Sequence, residues 1–97
     1  MFEGRFVIVR GLNSGNHCGI LEYQSGTEVM LKNSKNIFRW NSGPAKKIYT
    51  LNELAKYGLP ETSMLSEAVD EYLVTDAIAI IPCTEDAIKT MENSRWK

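Results

Sequence analysis

The chain has 97 residues, is 43% hydrophobic and 24% charged, and carries a formal net charge of −1; these values describe one globular domain with enough apolar mass for a core of its own. They exclude a membrane-spanning helix, since no run of about 18 apolar residues occurs, and they argue against a general duplex-DNA binder, which needs a strongly basic domain. The near-neutral total hides an asymmetry. Residues 1–47 hold seven Lys/Arg against three Asp/Glu, a net +4, and residues 48–97 hold four against nine, a net −5, which predicts a basic face or the opposed halves of two copies in contact.

The N-terminal stretch lacks the long apolar run and cleavage site of a signal peptide, so a cytoplasmic protein is expected. "RFVIVR" (5–10) predicts a short apolar strand, and "GLNSGN" (11–16) a loop of residues that accept turn conformations. "HCGILEYQ" (17–24) predicts a second strand. Ser25-Gly26 marks a hairpin, and "TEVMLK" (27–32) a third strand, alternating Glu28, Met30 and Lys32 against Val29 and Leu31. "NSKN" (33–36) predicts a turn into a fourth strand, "IFRW" (37–40), and "NSGP" (41–44) another turn before two lysines.

Thr50 with Glu53 three residues on is a capping box opening a two-turn helix that ends at Gly58, with Leu51, Leu54 and Ala55 as its apolar stripe. A loop at 59–68 leads to "VDEYLV" (69–74) and "AIAII" (77–81), two strands joined by Thr75-Asp76. The second has no polar face and should be buried on both sides. Pro82 ends it, and Thr84 caps a last helix whose Ile88 and Met91 face inward near Trp96. The fold class expected is α+β: a single domain, 1–97, built as a small antiparallel SH3-like barrel with one or two short helices.

Cys18 and Cys83 have no CxxC spacing and only one histidine accompanies them, so both read as buried free thiols and no metal or cofactor is expected. Asp70, Glu71 and Asp76 read as a solvated strand edge. The best candidate site joins Arg10 to "RWNSGPAKK": Arg39, Trp40, Ser42, Gly43, Lys46 and Lys47 combine a stacking face with cations suited to phosphate. The alternative is that Trp40 plugs the core. A second polar loop offers Asn13 and His17, with backbone N–H groups that could surround an anion, against the favoured alternative of a plain surface turn; His17 has no evident acidic or cysteine partner in sequence. No Ser-His-Asp, Cys-His, P-loop or zinc pattern occurs, and a non-enzyme is expected.

"CGILEYQSGTEVMLKNSKNI" (18–37) resembles the first signature of Sm-like proteins at Gly19, Leu21, Leu31 and Asn33, which implies a small barrel. "FVIVR", Gly15, Gly19, "EVMLKNSKNIFRW", Gly43, Ala45, "TLNELAKYG", "TDAIAIIPCTEDA" and Trp96 together resemble an uncharacterised family of small proteins from tailed bacteriophages and prophages. That resemblance implies a phage product made in host bacterial cytoplasm. The function expected is a sponge that sequesters a nucleotide-type immune signal against CBASS- or Thoeris-type defence, as a homo-oligomer without membrane or duplex-DNA partners. The alternatives are a module that inhibits a host protein and an Sm-like oligomer on single-stranded RNA.

Overall fold

The computed structural model describes residues 1–40, 50–60 and 63–93. Strand β1 (Phe6–Gly11) is apolar from Phe6 to Val9, where both of its faces are covered, and carries the exposed Arg10 near its end. Val7 and Val9 point into one cluster and Ile8 into another, the alternation that a pleated strand imposes. β2 (Asn16–Ser25), β3 (Glu28–Arg39), β4 (Met64–Leu65), β5 (Val69–Val74) and β6 (Ala77–Pro82) complete a six-stranded antiparallel sheet in the order β4–β3–β2–β1–β6, with β5 beside β4 on the free edge of β3.

The two edge strands, β5 and β6, are separated in sequence by Thr75 and Asp76 alone, so the sheet must curl to bring its opposite edges together. The Thr27 carbonyl accepts from Ala77 N–H at 3.0 Å, and the Thr27 hydroxyl donates to Thr75 O at 3.1 Å, fixing that approach. Inside the curl lie Val7, Val9, Leu21, Val29, Leu31 and Val74, with Ile80 and Tyr72 against them. No ladder joins β5 to β6 among the described residues, so the sheet is curled without being a hydrogen-bonded closed barrel.

The second cluster lies between the sheet's other face and two helices, α1 (Leu51–Tyr57) and α2 (Glu85–Asn93). The Glu53 carboxylate accepts from the Thr50 N–H at 3.0 Å and its hydroxyl at 2.9 Å, as the capping box predicts. Thr84 accepts from Ala87 N–H at 3.2 Å at the start of α2 and donates to Lys56 O at 2.8 Å, tying one helix to the end of the other. Leu54, Ala55, Ala87 and Met91 are buried between them and the sheet. Both cysteines are free and lie in this cluster, where burial pushes each thiol up to about 12.

Three expectations are corrected. "NSKN" is no turn: residues 28–39 form one strand, and Asn33, at φ 50°, makes a bulge within it. Asparagine tolerates that left-handed geometry, and the bulge bends β3 so that one end lines the curl and the other the helix-side core. The 59–68 segment contains β4, whose Leu65 pairs with Ile37. Among the described residues β6 pairs with β1 alone, and it is not buried on both sides; Ile78 is 51% exposed. The Trp96 expectation lies outside the described residues.

Gly19 stands opposite the bulge, where one residue of β2 faces two of β3. A Cβ there would lie 2.8 Å from the Lys32 carbonyl oxygen and 3.2 Å from the Ser34 Cα, both backbone atoms. Gly19→Ala should therefore cost about 1–3 kcal/mol, read as a lower denaturation midpoint at unchanged m-value. A neutral effect would mean that the strands part freely here.

Candidate functional site

At one end of the curl, the loop between β1 and β2, the tip of the β5–β6 turn and the middle of β3 converge. Asp76 organises this end. One carboxylate oxygen accepts from the N–H groups of Asn13 and Ser14 at 2.7 and 2.8 Å. The other accepts from the Ser14 hydroxyl at 2.6 Å. The amides of the polar loop are thus taken by the chain's own Asp76 carboxylate. These bonds, that from the Ser14 side chain foremost, hold the Asp76 carboxyl below its ordinary value. Gly11 is required beneath them, since a Cβ there would collide with the Ser14 hydroxyl and lie 2.7 Å from the carboxylate.

The chain of contacts continues inward. Ser14 Oγ lies 2.9 Å from His17 Nε2, and His17 Nδ1 lies 2.9 Å from Asn36 Oδ1. His17 is wholly buried, with the Tyr72 ring of β5 tilted by 38° against its ring at a centroid distance of 4.9 Å. Burial lowers the His17 pKa from its ordinary 6.5, partly offset by Asn36 and by the Asp76 charge. Beyond Asn36, its N–H donates to Ser66 Oγ at 2.8 Å while its carbonyl accepts from Ser66 N–H at 3.0 Å.

Above this network lies a cleft of about 310 Å³, lined by Ser14, Gly15, Asn16, Asn36, Ile37, Phe38 and Ser66. The Phe38 ring is 61% exposed at its rim. The lining has two carboxamides, two hydroxyls and no charged side chain. It suits a neutral, planar, hydrogen-bonding group better than a bare phosphate.

The expected site residues divide. Asn13 and His17 belong to the network, and Arg10 stands directly across from Asn16 in the β1–β2 register, so β1 places a cation beside the lining. Arg39 lies past Phe38, its guanidinium donating to Met64 Sδ at 3.3 Å. Trp40 packs half-buried against the helix-side core, on the core-plug side of the alternative. Ser42, Gly43, Lys46 and Lys47 lie outside the described residues. Asp70, Glu71 and Asp76 are not one cluster. Glu71 faces Lys32 at 3.5 Å, while Asp76 serves the loop. Among the described residues no three His, Cys, Asp or Glu side chains are grouped to hold a metal ion.

Sequence reasoning missed Asn36, Phe38, Ser66 and the role of Asp76. Asn36 was hidden by a turn-like tetrapeptide. No local signal links Asp76 to a loop 62 residues away.

Both linked groups predict an acid limb. His17 and Asp76 each have folded pKa values below their unfolded ones. On acidification the unfolded chain therefore takes up protons first, and stability falls. His17 contributes a decline that begins as pH drops below about 6.5, and Asp76 a further one below about 4. Melting temperatures at pH 8, 6, 5 and 3.5 should fall in that order. Asp76→Asn should lower the whole curve and make the decline below about pH 4 shallower, with the lowered carboxylates Glu3 and Glu53 still contributing.

These features define a small curled α+β domain that carries a polar cleft at one end. The chain belongs to the DUF6948 family, a domain of unknown function that matches residues 4–91. No curated protein and no solved structure matches it. No helix among the described residues is long and apolar enough to cross a membrane.

Proposed function

We propose that this domain is a non-enzymatic binding protein that captures a small nucleotide-like molecule in the cleft between the β1–β2 loop and β3. The observation that carries the reading is the uncharged, carboxamide-lined cleft with the exposed Phe38 ring at its mouth. Amides read the edge of a heterocycle, and an aromatic ring stacks on its face. Its 310 Å³ is at the small end for ligand sites, enough for one base or nucleoside. Phosphates of the same ligand fall to Arg10 and Arg39; Lys46 and Lys47 are further cations of the sequence, outside the described residues. The curled sheet supports an SH3-like barrel as the scaffold. The phage resemblance supports a sponge acting in host bacterial cytoplasm against CBASS- or Thoeris-type signals. The +4 and −5 halves support a homo-oligomer whose copies dock with opposite charge.

Calorimetry against nucleosides, cyclic di- and trinucleotides and ADP-ribose tests the reading. One saturable site per protomer is expected, with an oligomer by light scattering at physiological salt. Flat titrations across the whole panel refute it.

A further inference from the structure

The chain Asp76–Ser14–His17–Asn36 has a proton count that fixes what the cleft presents. Ser14 has one hydroxyl proton and two neighbours for it, Asp76 Oδ1 at 2.6 Å and His17 Nε2 at 2.9 Å. A hydrogen bond to a carboxylate is roughly twice as strong as one between neutral groups, so the proton goes to Asp76. Nε2 must then donate to Ser14 Oγ and carry a proton. In neutral His17 that leaves Nδ1 bare, an acceptor. With Asn36 Oδ1 against Nδ1 at 2.9 Å, the arrangement is that of the doubly protonated ring. Neutral His17 requires the Asn36 amide turned by half a rotation, its NH₂ donating to Nδ1. Oxygen and nitrogen of a carboxamide are nearly equal in size, so the turn needs no extra space.

Asn36 is exposed and lines the cleft, so whichever amide atom is not spent on His17 is offered to a ligand. We propose that Asn36 is the specificity-determining residue of the cleft and His17 its positioning residue: with His17 neutral, Asn36 shows a carbonyl oxygen and selects a ligand bearing an amine donor, and with His17 charged it shows an NH₂ and selects an acceptor. This rests on the nucleotide reading of the cleft and names its chemistry as an amino-bearing heterocycle. The cost of burying a charged imidazole keeps His17 neutral at pH 7 and above. The charged and titratable groups on the surrounding elements are few. Asp76 lies in the β5–β6 turn, and Tyr72 on β5 lies tilted against the ring. Lys35 on β3 is turned to the α2 carbonyls of Met91 and Glu92, while Arg10 on β1 and Glu67 after β4 are exposed. Among the described residues, it is the Asp76 charge that acts on His17, raising its pKa.

Two measurements on the full chain test this. Nitrogen-15 spectra of the His17 ring report which nitrogen carries the proton, with Nε2–H expected at pH 8; a neutral Nδ1–H form overturns the assignment. Titrations with cytidine, which offers an exocyclic amine, and uridine, which offers a carbonyl in its place, follow by chemical-shift change at cleft residues. Cytidine should bind about tenfold tighter at pH 8, the factor one exchanged hydrogen bond gives. The preference should vanish or reverse one pH unit below the His17 midpoint. Asn36→Asp, which can only accept, should keep the cytidine preference across that range; a preference that still follows His17 overturns the role of Asn36. Equal binding of the two nucleosides defeats the specificity assignment and leaves the nucleotide reading standing. No shift from either at millimolar concentration defeats the nucleotide reading and the assignment with it.

Discussion

Replacing Ile8 by alanine should lower the folding free energy by about 2–5 kcal/mol, with a loss of roughly 4–8 °C in Tm per kcal/mol for a domain of this size. Ile8 is fully buried and sits between Cys18 of β2 and Ile81 of β6 in the register. Its side chain enters the cluster that α1 and α2 close with Leu54, Ala87 and Met91. A cavity there loosens both helices from the sheet at once, and β1, held by neighbours on each side, has little freedom to collapse into it. Ile78→Ala is the matched control: the same atoms are removed from a residue that is 51% exposed, and the change should stay within about 0.5 kcal/mol. Chemical denaturation of both variants decides it. Equal losses would show that the helix-side cluster does not carry the fold.

The elements that local chemistry dictates were readable in the sequence. β1 opens on an apolar run, Phe6 to Val9, because both faces are covered there. α1 announces itself through Thr50, Glu53 and Gly58, and Thr84 marks the start of α2. The turn at Thr75-Asp76 stands where the strand pattern breaks. What failed did so where tertiary contact outweighs local preference. "NSKN" has the residues of a turn, yet Asn36 is held in the ladder by Ser66, a residue 30 positions away. "AIAII" is apolar enough for a central strand but lies at an edge, half-covered. The site was legible only in halves. Composition marked the 13–17 loop as able to hold an anion, and nothing short of the folded chain could show Asp76 reaching it. The cationic lip around Trp40 was inferred from residue types, but Trp40 lies just past the end of β3, beyond the register shift between Ile37 and Arg39, and packs on the helix-side core, while Phe38 lines the cleft.

That separation gives the sharpest test of where ligand binding resides. Trp40 packs against the helix-side core, whereas Phe38 is 61% exposed and lines the cleft. Trp40→Ala should therefore act on stability. Truncating a fully buried ring costs about 3–5 kcal/mol, and a half-buried one should fall near the lower end of that range. Ligand affinity of the folded fraction should be unchanged. Phe38→Ala should do the reverse. An exposed ring contributes little to the fold, within about 0.5 kcal/mol, but losing a stacking face should remove about 1–3 kcal/mol of binding per base. Arg39→Ala, with its guanidinium on Met64 rather than in the cleft lining, should leave nucleoside binding intact and weaken only ligands that carry phosphate. Denaturation midpoints and calorimetric titrations with a nucleoside and its phosphorylated form, run on the three variants, separate these roles. If Trp40→Ala spares the fold and abolishes binding while Phe38→Ala does neither, the ligand lies on the Trp40 side of β3 and the cleft is not its site.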